Sequence, residues 1–156
     1  MDGTPTWREQ YDRVKRWRAR LGERTGVEDR RVDDFYAFFS TCFHLKDWLK
    51  QDNSLPESVR ADVETHVNAT FWLKLCADLA NGSKHLELSR PRVDPKARVG
   101  TQGPAFQPGA FQANAFQTKP IVTVNADGKA WAALTVANNC MAAWEGFLED
   151  KGLLPL

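Results

Sequence analysis

Apolar residues recur along most of the chain at spacings of three and four, the period of an amphipathic helix. The clearest run is "VDDFYAFFSTCFHLKDWLKQ", in which Phe35, Phe38, Cys42, Leu45 and Leu49 form one stripe. Phe39, Phe43 and Trp48 widen it, which predicts a helix lying between several neighbours. Ahead of it, Trp7, Tyr11, Val14, Trp17 or Arg18, and Leu21 predict a first helix beginning near Thr6. There "TWRE" reads as a capping box, with the Thr6 hydroxyl on the Glu9 amide and the Glu9 carboxylate reaching back to Thr6. The opposite face carries Arg13, Lys15, Arg16 and Arg20, and Gly22 and Gly26 mark the end. A third helix starts after Pro56 and runs through "ESVRADVETHVNATFWLKLCADLANG", with valines at 59, 63 and 67 and then Trp72, Cys76 and Leu79 beyond an irregularity at "NAT". Asn81-Gly82 either ends this helix, with Gly at its C-cap, or is crossed into "SKHLEL". Val136, Cys140, Trp144, Phe147 and Leu148 predict a last helix closed by Gly152.

The helical period fails between residues 90 and 118, a segment rich in Pro and Gly that contains the repeat "AFQPGAFQANAFQ". A spacing of five would put Phe106, Phe111 and Phe116 on alternating faces of one straight strand, so the repeat predicts short extended pieces joined by turns, Pro108-Gly109 suiting a type II turn. Then "PIVTVNADGKAWAALTV" reads as a β-hairpin over 119–135 turning at Asp127-Gly128, with Ile121 and Thr123 on one face, Val122 and Val124 on the other, and Trp131 and Leu134 on the return. The expected fold is mainly α: a single domain over 1–156, a four-helix bundle with a loop and a β-hairpin inserted between helices 3 and 4.

Composition narrows the setting. The chain has 156 residues, 42% hydrophobic and 26% charged, which suits one folded domain with one core. A formal net charge of +1 gives no strong global pull toward nucleic acid or membrane. Three widely separated cysteines, Cys42, Cys76 and Cys140, each fall in an apolar helical pattern, which argues for a reducing compartment. With no apolar region at the N-terminus and no run long enough to span a bilayer, the expectation is a cytoplasmic protein without membrane contact.

The polar residues that carry candidate chemistry form two groups. His44 and Asp47 lie on one side of the second helix, three apart, and can touch, so the carboxylate can orient the imidazole and raise its basicity. The bland alternative is a solvated surface pair. "DLANGSKH" offers Asp78, Asn81, Lys84 and His85, and the two groups would meet if Cys42 packs near Cys76. Asp78 and Asn81 serve equally well as helix-end caps. Cys42 with His44 and Cys76 with His85 would make a Cys2His2 set, but a spacing of two on a helix points the ligands apart, so no metal is expected. The chain has no Gly-x-Ser-x-Gly elbow and no phosphate-binding Gly loop, hence no expected cofactor.

"FFSTCFHLKDWL", followed by "LCADLANGSKHLEL", a hairpin and a Trp-bearing last helix, resembles a group of bacterial and phage helical proteins and, more distantly, the HEPN superfamily. That resemblance implies a helical bundle, and in many members a metal-independent RNase of toxin–antitoxin or defence systems. Such nucleases carry an Arg followed by a polar residue and, some five to seven positions after the Arg, a His. Here Asn81 and His85 match and Ala80 stands at the Arg position. Lys84 would substitute only as a point charge. "RADVETH" offers Arg60 and His66, but a spacing of six sets them apart around the helix. Short "AFQ" runs like the one here also occur in phage proteins.

The expected function is therefore a cytoplasmic HEPN-like interaction or regulatory module, non-catalytic, with a homo-oligomer, a partner protein or RNA as partner. The alternatives are an RNase using His85, and a phage assembly protein. Phe106, Phe111, Phe116, Arg90 and Arg92 are the expected partner contacts, self-docking or homo-oligomer contact being favoured over nucleic acid for the repeat.

Overall fold

A computed structural model describes residues 3–23, 28–85, 88–102 and 121–155. It is mainly helical. Helices α1 (Trp7–Gly22), α2 (Glu28–Gln51), α3 (Glu57–Ala69) and α4 (Phe71–Gly82) precede strands β1 (Arg98–Gln102), β2 (Ile121–Ala126) and β3 (Lys129–Ala132), and α5 (Ala133–Asp150) follows.

The aromatic-rich second helix is the hub. α2 packs against α1, α3, α4, α5 and the sheet, and its stripe Phe35, Phe38, Phe39, Cys42, Leu45 and Leu49 is sealed from solvent. A helix with neighbours on most sides needs an apolar surface wider than one stripe, which is what the extra aromatics supply. Against it α5 buries Val136, Cys140, Trp144, Phe147 and Leu148, and the Trp144 indole donates from Nε1 to the Cys42 carbonyl at 3.2 Å.

Three local departures from the sequence reading have clear causes. The expected long third helix is two helices, because Thr70 takes an extended conformation (φ −107°, ψ 114°) while its hydroxyl donates to the His66 carbonyl at 2.8 Å. A β-branched residue bonding its own backbone competes with helix continuation. The capping box at α1 is not made: Thr6 contributes no side-chain cap, and the Trp7 amide instead donates to Asp52 Oδ2 at 2.8 Å, from the α2–α3 connection. Asp52 also accepts from the Ser54 amide and hydroxyl. Partial burial pushes its carboxyl up, but the bonds from Ser54 and Trp7 and the nearby Arg60 charge outweigh that and hold it below the usual range. Third, α4 ends at Gly82 with Ser83 in right-handed helical geometry, so Gly82 is a helical residue rather than a left-handed cap; a Cβ there would lie 3.7 Å from the Ala97 carbonyl oxygen.

The hairpin turns at Asp127 (φ 51°) and Gly128 (φ 68°), the two positive φ values of a type I′ turn. Its return strand stops at Ala132, and Leu134 belongs to α5. The sheet has a third member: β1 pairs antiparallel with β2 from Arg98↔Asn125 to Gln102↔Ile121, giving the order β1-β2-β3. Strand residues Val99, Val122, Val124 and Ala126 are buried in the core. The outer edge of β1 is met by α2, where the Val99 amide donates to the Tyr36 hydroxyl at 3.1 Å. The last described residue before 103–120 and the first after it, Gln102 and Ile121, form one paired rung; Phe106, Phe111 and Phe116 lie outside the described residues.

Candidate functional site

Asp78, on α4, is 1% exposed, yet its carboxylate has three partners. Oδ1 accepts the Arg92 amide at 2.8 Å, and Oδ2 accepts those of Val93 at 2.6 Å and Asp94 at 2.9 Å. These amides belong to no helix or strand, and a buried carboxylate satisfies them. Asp94 continues the arrangement, accepting the Lys96 amide at 2.8 Å and, from the hairpin turn, the Asp127 amide at 2.7 Å. The Asp127 amide first and the Lys96 amide second hold the Asp94 carboxyl below its ordinary range. Two aspartates thus clamp residues 92–97 between α4 and the sheet. Asp78 is a positioning residue, with its acceptor sites aimed at the backbone.

The clamp delivers the Arg92 guanidinium to a cluster on the flank of α2. Arg92 lies 3.5 Å from Glu64 and donates to Asn68 Oδ1 at 3.1 Å. Lys50 and Lys46 reach the same Glu64 carboxylate at 3.0 and 3.7 Å. Burial pushes the Glu64 carboxyl up, but the Lys50 hydrogen bond and the three cations prevail and hold it below the usual range. Arg92 and Lys46 also stand over the Phe43 ring, at 5.6 and 4.7 Å. Three cations share Glu64, and Asp47 adds one more carboxylate at 3.9 Å from Lys46. The local balance is positive in a nearly neutral chain.

The other candidates are unassembled. His44 is exposed and Asp47 half-buried, and no hydrogen bond joins them; Asp47 pairs with Lys46 instead. His85 and Lys84 are exposed in the turn after α4, their amides donating to the Asn81 carbonyl at 2.9 and 3.0 Å. Asn81 is half-buried and Arg90 exposed. The C-terminal end of α4 does approach the middle of α2, since Ser83 Oγ lies 3.4 Å from Ser40 Oγ, one turn before His44. Ala80, at the position an Arg would hold in the nucleases, is buried at 7% exposure, so it faces the interior. Arg60 and His66 diverge: Arg60 reaches Asn53 at 3.2 Å, whereas His66 packs on Phe147 with Nε2 2.9 Å from the Ala143 carbonyl. That carbonyl can only accept, so Nε2 carries the proton.

The expected approach of Cys42 to Cys76 is present, and Cys140 joins them. The Cys76 and Cys140 thiols donate to the Phe39 and Trp72 carbonyls at 3.3 and 3.4 Å, and burial pushes both well up. All three are fully buried whereas His44 and His85 are exposed, so the Cys2His2 set does not form. Among the described residues no group of three or more His, Cys, Asp and Glu side chains is arranged to hold a metal ion.

Sequence reading missed Lys46, Lys50, Glu64, Asn68 and Phe43. The i,i+4 spacing of Lys46 and Lys50 was the available signal; their convergence with Arg92 depends on Asp78 and has no local signature. No helix among the described residues is long and apolar enough to cross a membrane. No protein-family model, no curated protein and no solved structure matches the chain.

Proposed function

We propose that the chain is a HEPN-like binding module of bacterial or phage origin that works in the cytoplasm, and that it holds RNA phosphates at Arg92, Lys46 and Lys50 without cleaving them. One observation carries the reading: Arg92 is held by the buried Asp78 clamp among cations that outnumber the carboxylates they share. Preorganised guanidinium and ammonium groups beside an aromatic ring suit a phosphate oxygen, which would displace Glu64 as their common acceptor. The four-helix bundle of the resembling family is reached here by treating α3 and α4 as one helix broken at Thr70, with the sheet inserted before the last helix.

Fluorescence anisotropy of a labelled single-stranded RNA at low salt tests the reading. Binding is expected, and Arg92→Ala is expected to weaken it and to lower the salt slope by about 0.7. Absence of binding, or binding untouched by Arg92→Ala and by Lys46→Ala/Lys50→Ala, would overturn it.

The Ser40–Ser83 contact favours a second reading, a metal-independent RNase in which the exposed His85 transfers a proton with Lys84, Asn81, His44 and Asp47 around it. RNA cleavage in the presence of a chelator, abolished by His85→Ala with the melting temperature unchanged, is its signature. Intact RNA at high protein concentration sinks it.

A further inference from the structure

The most strongly charged element lies outside that site. α1 carries Arg8, Arg13, Lys15, Arg16, Arg18 and Arg20 against Glu9 and Asp12, in a chain whose formal net charge is +1. Its apolar face is already in the core through Trp7, Tyr11, Val14 and Leu21. The basic face therefore has no hydrophobic stripe left to insert into a bilayer, and what it offers is charge.

Arg13, Arg16 and Arg20 are spaced by three and four, so they form one row over about 10 Å of helix. The row borders the seam with α2, where α1 touches positions 34, 41 and 48: Arg20 pairs with Asp34 at 3.2 Å, Gln10 donates to the Thr41 carbonyl, and Arg13 stands over the Trp48 ring at 5.6 Å. A second ring, Trp17, lies under Arg20 at 5.4 Å. Both indoles are half-exposed. The Arg20 side chain is 60% exposed, and a surface ion pair of that kind contributes little and exchanges readily for another acceptor. Positions 34, 41 and 48 lie opposite 43, 46 and 50 on the α2 wheel, at 100° per residue. The arginine row and the Arg92 cluster thus flank α2 on its two sides.

We propose that the Arg13–Arg16–Arg20 row is a second phosphodiester contact for single-stranded RNA, with bases stacking on Trp17 and Trp48 and the strand crossing the outer face of α2 to the Arg92 cluster. A row of guanidiniums with interleaved aromatics matches a single strand better than a duplex, whose bases are already stacked. The inference rests on the RNA-binding reading, and the test separates the two.

Anisotropy titrations with one labelled single-stranded RNA, at several salt concentrations, compare the wild-type chain, Arg92→Ala, Arg16→Gln, and the triple variant Arg13→Gln/Arg16→Gln/Arg20→Gln. Each phosphate contact contributes roughly 0.7 to the slope of log affinity against log salt. The triple variant is expected to lose about 2 from that slope and at least about tenfold in affinity at low salt. Arg16→Gln changes one exposed residue without risk to the core and is expected to lose about 0.7 of the slope. Replacing all three by Lys should keep most of the slope, which separates charge from folding. Wild-type binding weakened by Arg92→Ala but with slope and affinity unchanged in both Gln variants would overturn the α1 contact and leave the Arg92 reading standing. No wild-type binding would overturn both.

Discussion

Asp78 and His85 stand seven residues apart at the end of α4, and the structure gives them opposite roles. Asp78 is sealed and accepts three amide bonds, whereas His85 is exposed and its amide bonds only its own turn. Both are titratable residues of the same short polar stretch. The difference is which way the helix turns them: one faces the segment that returns over α4, the other has passed the helix end. A cluster of reactive residue types in sequence is thus divided between building the site and being available to it.

The strongest way to break this comparison is Asp78→Ala. It removes three hydrogen bonds and leaves their part-buried amide donors unpaired, so the expected loss is about 3 kcal/mol of unfolding free energy, read by chemical denaturation. A loss under about 1 kcal/mol would show that the clamp is not structural. Acidification attacks the same region from another side. The Asp94 and Asp52 carboxyls are held below their ordinary values in the folded chain. Their stabilising contribution is complete above the unfolded Asp value of about 3.9 and is lost as pH falls through the lowered folded values. Melting temperature should therefore drop steeply below about pH 4, and Asp94→Asn should flatten that limb. Asp52→Ala removes the cap of α1 from a distance and should cost about 1 kcal/mol. The smallest effect sharpens the contrast: His85→Ala should leave stability within about 0.5 kcal/mol of wild type by the same denaturation assay.

Much of the fold was legible wherever local pattern and burial agree. The stripe from Phe35 to Leu49, the valines of α3 and the Val136–Leu148 face needed only helical period, and the Asp127-Gly128 turn needed only its residue types. The missed strand is different. Arg98–Gln102 alternates weakly, contains Gly100 and follows a Pro-rich stretch, so nothing nearby announces a strand; it exists because β2 offers an edge and Tyr36 covers the other side. The capping box failed for a related reason. Thr6 and Glu9 have the right spacing, but Asp52 reaches the Trp7 amide with a full charge from 45 residues away. For the site, Asp78 was singled out as a carboxylate without any sign that its partners lie 14 to 16 residues on, and Arg92 was named without the lysines that join it.

The pairing of Gln102 with Ile121 has one more consequence. The two residues face each other across the β1–β2 pairing, so a connection between them has almost no distance to span. Closing a loop of twice the length costs only about 0.6 kcal/mol more. Adding or removing five residues between Gln102 and Ile121 is therefore expected to change the closure cost by only a fraction of that amount.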